Sequence, residues 1–66
     1  MAIHYKPLLH LLVEKGMVLN DLRDKAGINS STLTRIRRDD YISLQTIERI
    51  CVELNCSIEE VVKIEH

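Results

Sequence analysis

The chain has 66 residues, of which 45% are apolar, and its formal net charge is −1 at pH 7. A chain of this length forms one hydrophobic core, so we expect a single domain over residues 1–66, with no separate domain for a small-molecule effector. The longest apolar run, Leu8 to Val13, is interrupted by His10 and is far shorter than the roughly 20 residues of a membrane span. Because the first residues also lack the organisation of a signal peptide, we expect a cytoplasmic protein without membrane contact.

The apolar periodicity and the turn residues predict an all-α fold of five short helices without any strand. Gly16 and Gly27 stand where left-handed residues would end the first two helices. Asn29 is an expected N-cap, and Ser57 with Glu60 forms an expected capping box. The predicted helices cover about residues 7–15, 19–26 and 30–38, followed by one helix that begins after Ser43 and one that begins after Ser57.

Each predicted helix has an apolar stripe that can face a common core. Phe and Trp are absent, so Leu, Ile and Val are expected to fill that core. The stripes, read at helical spacing, are Leu8, Leu11 and Leu12, then Leu22 and Ala26, then Leu33 and Ile36, and finally Ile47, Ile50, Cys51 and Leu54.

The second and third predicted helices are separated only by residues 27–29. So short a connection, with a glycine at the bend, requires a tight turn and a steep crossing of the two helices. In the third helix Leu33 and Ile36 face the core, and a rotation of about 100° per residue brings polar side chains to the opposite side. That outer side consists of Ser31, Thr34, Arg35 and Arg38. Residues 19–38 therefore predict a helix-turn-helix whose second helix enters the major groove of DNA.

The charges are distributed unevenly along the chain. Residues 1–38 contain seven Lys and Arg against three Asp and Glu, or +4, while residues 39–66 contain two against seven, or −5. The basic half contains the predicted motif, so its local field can attract phosphate although the net charge is negative. An ordinary solvated helix face is the alternative interpretation. The absence of any acidic residue from Gly27 to Arg38 favours DNA binding.

The sequence resembles the phage-repressor and Cro-like helix-turn-helix family, also called the XRE family, and especially its small single-domain members. The resemblance rests on the Gly16-Met17 step, Leu22, Ala26-Gly27-Ile28, Leu33 with Ile36, and the segment SLQTIERICVELNCSIEEVV. It implies a compact five-helix domain similar to that of lambda repressor, acting as a sequence-specific transcriptional regulator. It also implies a homodimer that binds a double-stranded DNA operator through helix three, and we expect it to be a repressor.

The expected DNA contacts fall into two groups. The residues expected to read bases are Ser30, Ser31, Thr34 and Arg35, and those expected to bind phosphate are Asn20, Arg38 and Tyr41. The family usually has a Ser or Thr followed by Gln at the start of helix two, where this sequence has Val18 and Leu19, so Asn20 is expected to replace part of the lost phosphate contact. Asp39 stands where the family often has glycine, and it must adopt the turn conformation that glycine would take.

Other function classes have weaker support in the residues. Cys51 and Cys56 form no C-x-x-C pair and are expected to be reduced packing residues, so no metal and no cofactor is expected. No catalytic motif is present, which argues against an enzyme. A protein-interaction module remains open, because the apolar pair Leu9 and Val13 must be covered either by Val62 and Ile64 or by a partner subunit. The antitoxin of a toxin pair also remains open within the DNA-binding class.

Overall fold

The computed structural model describes residues 2–66, which form four α-helices, one short 3-10 helix and a two-stranded sheet. Their bounds, in chain order, are β1 (Ala2–His4), α1 (Lys6–Glu14), α2 (Asp21–Lys25), α3 (Ser30–Arg37), α4 (Leu44–Leu54), the 3-10 helix (Ile58–Glu60) and β2 (Lys63–Glu65). The fold is therefore mostly helical. Among these residues, no helix is both long and apolar enough to cross a membrane.

The expected fifth helix is absent from the described residues. The predicted capping box is present, with the Ser57 N–H donating to Glu60 Oε2 at 3.3 Å, but it begins only the three-residue 3-10 helix. Val61 is fully buried after this turn, and the chain continues as β2. The expectation of no strand is wrong too, because β1 and β2 pair antiparallel with Ile3 opposite Ile64.

The helix boundaries follow the predicted local signals. Gly16 and Gly27 both have a φ of +69°, the left-handed conformation expected after α1 and α2. Asn29 caps α3 as predicted, since its side-chain oxygen accepts a hydrogen bond from the Thr32 N–H at 2.9 Å. Asp39 follows α3 with a φ of +57°, so it does take the conformation that glycine usually takes. The helix of the motif that differs most is α2, which is shorter than expected at both ends.

The buried core is continuous and includes an aromatic residue that the sequence analysis did not assign to it. Tyr5 is 0% exposed, so the core is not purely aliphatic. The buried residues are Tyr5, Leu8, Leu12, Leu22, Ile28, Leu33, Ile36, Ile47, Ile50, Leu54 and Val61. Three residues predicted for the core, Leu11, Ala26 and Cys51, are half-buried and pack against it.

Tyr5 joins the start of α1 to the turn that follows α3. Its hydroxyl donates a hydrogen bond to the backbone oxygen of Asp40, and its N–H donates to Asp39 Oδ1 at 3.3 Å. Burial, reinforced by the two nearby carboxylates, raises the pKa of the Tyr5 phenol. The turn at residues 38–41, which contains two candidate phosphate contacts, is therefore held by a buried side chain.

Candidate nucleic-acid interface

α3 has one buried face and one exposed face, as its sequence predicts. Leu33 and Ile36 are each only 1% exposed and fix the rotation of the helix against the core. The polar residues on the other side are all exposed, and they are Ser30, Ser31, Thr34 and Arg35 within the helix and Arg38 at its C-cap. All four expected base-reading residues thus lie on one accessible helix.

The hydroxyl groups at the start of α3 already donate hydrogen bonds within the protein. Ser31 Oγ donates to Asn29 Oδ1 at 2.7 Å, and Thr34 Oγ1 donates to the Ser30 backbone oxygen at 3.1 Å. In this arrangement their oxygens remain free to accept. The amino groups of adenine and cytosine are the donors that such acceptors would meet in the major groove.

Arg35 is an exposed cation of α3 and the candidate for contact with a base. Within residues 2–66 its guanidinium has neither a hydrogen bond nor an ion pair. A guanidinium presents a planar fork that can donate two hydrogen bonds to O6 and N7 of one guanine. Reaching a base would therefore not require Arg35 to break a contact inside the protein.

Arg38 and Tyr41 lie in the turn after α3. Arg38 Nε is 3.8 Å from Asp40 Oδ2, and the two side chains are 72% and 52% exposed. Ion pairs this exposed contribute little to stability, so the Arg38 guanidinium can exchange its partner for phosphate. Tyr41 is 79% exposed, which leaves its side chain accessible to solvent.

At the start of α2, the structure places Asn20 in a contact that the sequence analysis missed. Asn20 Oδ1 accepts a hydrogen bond from Arg37 Nη2, so the last residue of α3 contacts the N-cap of α2. Arg37 is not among the predicted contacts, because it does not lie on the outer side of α3. It follows Leu33 by four residues, which places it at the edge of the buried face. The four-residue spacing from Leu33 is the sequence signal that could have identified Arg37.

Comparison with known proteins agrees with this geometry. Residues 7–66 match the family model of the Cro/C1-type HTH DNA-binding domain. The chain belongs to this family. It is also similar to the crystal structure of the transcriptional regulator VanUg, form II, with a TM-score of 0.90 and 27% sequence identity over 94% of this chain and 83% of that chain. No curated protein sequence matches the chain.

The family match makes residues 7–66 a Cro/C1-type HTH DNA-binding domain, and α2, the turn at residues 26–29 and α3 are its candidate helix-turn-helix. The resemblance inferred from the sequence is thus confirmed.

The two thiols of this Cro/C1-type domain lie at the end of α4, outside the candidate helix-turn-helix. Burial, followed by the effect of the adjacent Cys51, raises the pKa of the Cys56 thiol to about 11. A thiol that stays protonated at neutral pH is a poor nucleophile and a poor metal ligand.

Proposed function

We propose that this Cro/C1-type domain is a sequence-specific transcriptional regulator that inserts α3 into the major groove of a double-stranded DNA operator. The observation that carries the proposal is the division of α3 into a face fixed by Leu33 and Ile36 and a face that exposes hydrogen-bonding groups and no apolar residue. We expect repression, since a protein that occupies an operator can exclude other proteins from it by binding alone.

Within this proposal, the residues of α3 read bases and the residues around it bind the DNA backbone. Ser30, Ser31, Thr34 and Arg35 are assigned to base edges. Asn20, Arg38 and Tyr41 are assigned to phosphates. Base contacts give sequence preference, whereas phosphate contacts give affinity that depends on salt and not on sequence. The two groups therefore differ in a property that can be measured.

The experiment first selects bound sites from random duplexes, and then titrates variants against the best site and a scrambled site at several salt concentrations. Arg35→Ala should lose about 1 to 3 kcal/mol, or roughly 5- to 150-fold, on the selected site and little on the scrambled one. Arg38→Ala should weaken both sites alike and lower the salt slope by about one.

The matched control is Arg49→Ala, which removes the same charge from α4 outside the helix-turn-helix, and it should change neither measurement strongly. If Arg35→Ala weakens both duplexes equally, then Arg35 is a phosphate contact. The reading of bases would in that case pass to Ser30, Ser31 and Thr34.

We further propose that the domain binds DNA as a homodimer. One helix of eight residues contacts too few base pairs for useful specificity, and helix-turn-helix proteins solve this with two half-sites about one DNA turn apart. The selected sites should therefore be approximate palindromes bound by two chains, as measured by the mass of the complex. A single half-site with one chain per duplex would contradict the dimer.

The alternative, a protein-interaction module, is favoured by one observation. Val13 is 77% exposed and Leu9 43% exposed on α1, and Ile64, which could have covered them, is itself 58% exposed. An apolar pair left open in this way can contact another protein. The two classes separate in a gel shift at several salt concentrations, because a pure interaction module would bind no duplex at any of them.

A further inference from the structure

The contact between Arg37 and Asn20 bridges the two helices of the motif at the protein surface. Arg37 Nη2 donates to Asn20 Oδ1 across 17 positions of sequence, and both side chains are exposed. An exposed hydrogen bond of this kind adds little to the stability of a fold. It does fix the direction in which the Asn20 amide points, because the oxygen is held by Arg37 and the NH₂ group faces away from it.

The surroundings of Asn20 explain why a cation is needed there. Asp21 and Asp24 lie in the first turn of α2, and Asp21 Oδ2 accepts a hydrogen bond from the Val18 N–H at 2.9 Å. This end of α2 therefore bears carboxylate charge, which repels a DNA phosphate. Asp24 lies 4.0 Å from Arg23 Nε, and the guanidinium of Arg37 brings a further positive charge to Asn20, the side chain of this segment assigned to phosphate.

We propose that Arg37 and Asn20 together form a phosphate clamp at the start of α2, in which both side chains donate hydrogen bonds to one backbone phosphate of the duplex. The clamp rests on the proposed DNA-binding function and adds a second cationic backbone contact to it. Arg37 and Arg38 are consecutive in the chain and point about 100° apart around the helix axis, so they reach different phosphates.

The chemistry of the two side chains suits this shared task. Asn20 Oδ1 occupies one of the five N–H donors of Arg37, which leaves the others for phosphate oxygens. The Asn20 NH₂ group contributes two more donors. A lysine at position 37 would keep the charge but lose the planar fork that contacts an amide oxygen and a phosphate together. The charge and the geometry of the clamp can therefore be tested separately.

The test compares the wild type with Arg37→Gln, Arg37→Lys, Asn20→Ala and the double variant Arg37→Gln/Asn20→Ala. Each is titrated against the selected duplex and a scrambled duplex at several salt concentrations. Arg37→Gln should lower affinity for both duplexes by roughly tenfold or more, as expected for a hydrogen bond to a charged group. It should also lower the salt slope by about one.

Asn20→Ala should weaken both duplexes without changing the salt slope, because it removes no charge. The double variant should lose less than the product of the two single losses, since the two residues act as a unit. Arg37→Lys should keep the wild-type slope and still bind more weakly. Arg49→Gln, the matched control on α4, should keep both the affinity and the slope.

The outcomes separate the clamp from the proposed function. If Arg38→Ala lowers affinity and slope while Arg37→Gln changes neither, DNA binding stands and the clamp is wrong. The clamp is also wrong if the double variant loses the full product of the two single losses. It is wrong as well if Arg37→Gln weakens binding to the selected duplex alone, because Arg37 would then read a base. If the wild type shows no salt-dependent binding, the proposed function fails before the clamp is tested. Thermal melts of both Arg37 variants should match the wild type, which shows that the losses arise at the interface.

Discussion

The buried hydroxyl of Tyr5 allows a sharp test of how the turn after α3 is held. The Tyr5 ring is 0% exposed, and its hydroxyl donates a hydrogen bond to the Asp40 backbone oxygen. Tyr5→Phe keeps the ring and removes only this bond. A buried polar group left without its partner costs about 1 to 3 kcal/mol. In a domain of this size, 1 kcal/mol shifts the melting temperature by about 4 to 8 °C, so we expect a decrease of roughly 5 to 20 °C.

The assay is thermal unfolding followed by circular dichroism, with Tyr41→Phe as the control. Tyr41 is 79% exposed, so the same loss of one oxygen should change the free energy of unfolding by no more than about 0.5 kcal/mol. If Tyr5→Phe melts with the wild type, the hydroxyl does not stabilise the turn and our account of that segment is wrong. Alkaline titration at the tyrosine absorbance band gives an independent check, because burial raises the pKa of the Tyr5 phenol above its ordinary value.

Two further predictions concern the core and the thiols. Leu33→Ala should lower the free energy of unfolding by about 2 to 5 kcal/mol, because it leaves a cavity where a side chain only 1% exposed was packed. A variant with wild-type stability in a denaturant melt would show that α3 is rotated differently. The pKa of the Cys56 thiol is about 11 in the folded chain against 9.0 for an unperturbed thiol, so Cys56 loses its proton first in the unfolded chain as the pH rises. The raised pKa of Cys56 therefore stabilises the folded chain fully below pH 9, and this stabilisation is lost as the pH rises from about 9 to 11. In melts across that range, Cys56→Ala should remove this part of the pH dependence of stability.

The parts of the fold that the sequence predicted are those with local causes. The left-handed glycines after α1 and α2, the Asn29 cap and the burial of Leu33 and Ile36 each depend on residues within one or two helical turns. Such signals are visible in a short window of sequence. Because they fix both helices of the motif, the exposed side of α3 could be predicted residue by residue.

The parts that were missed depend on residues far apart in the chain. β1 and β2 have three residues each and pair Ala2 with Glu65, and strands this short show no alternation that could be recognised in advance. The burial of Tyr5 likewise depends on a turn more than thirty residues away. The helical spacing places Arg37 at the edge of the buried face, but its partner Asn20 lies 17 positions away at the N-cap of α2, so the pair itself could not be predicted.

The acidic residues around the proposed interface help to explain how a domain of net charge −1 can bind DNA. Asp21 accepts from the Val18 N–H, Asp39 accepts from the Tyr5 N–H, and Asp40 pairs with Arg38. These carboxylates make contacts that hold the two ends of the motif. Their negative charge also weakens the attraction of the motif for any phosphate. Because these carboxylates lower the local positive charge, the proposed binding to random sequence would gain less from charge than it would in a purely basic domain. The proposed base contacts of α3 would then contribute a larger share of the total affinity, which would favour discrimination between operator and random DNA.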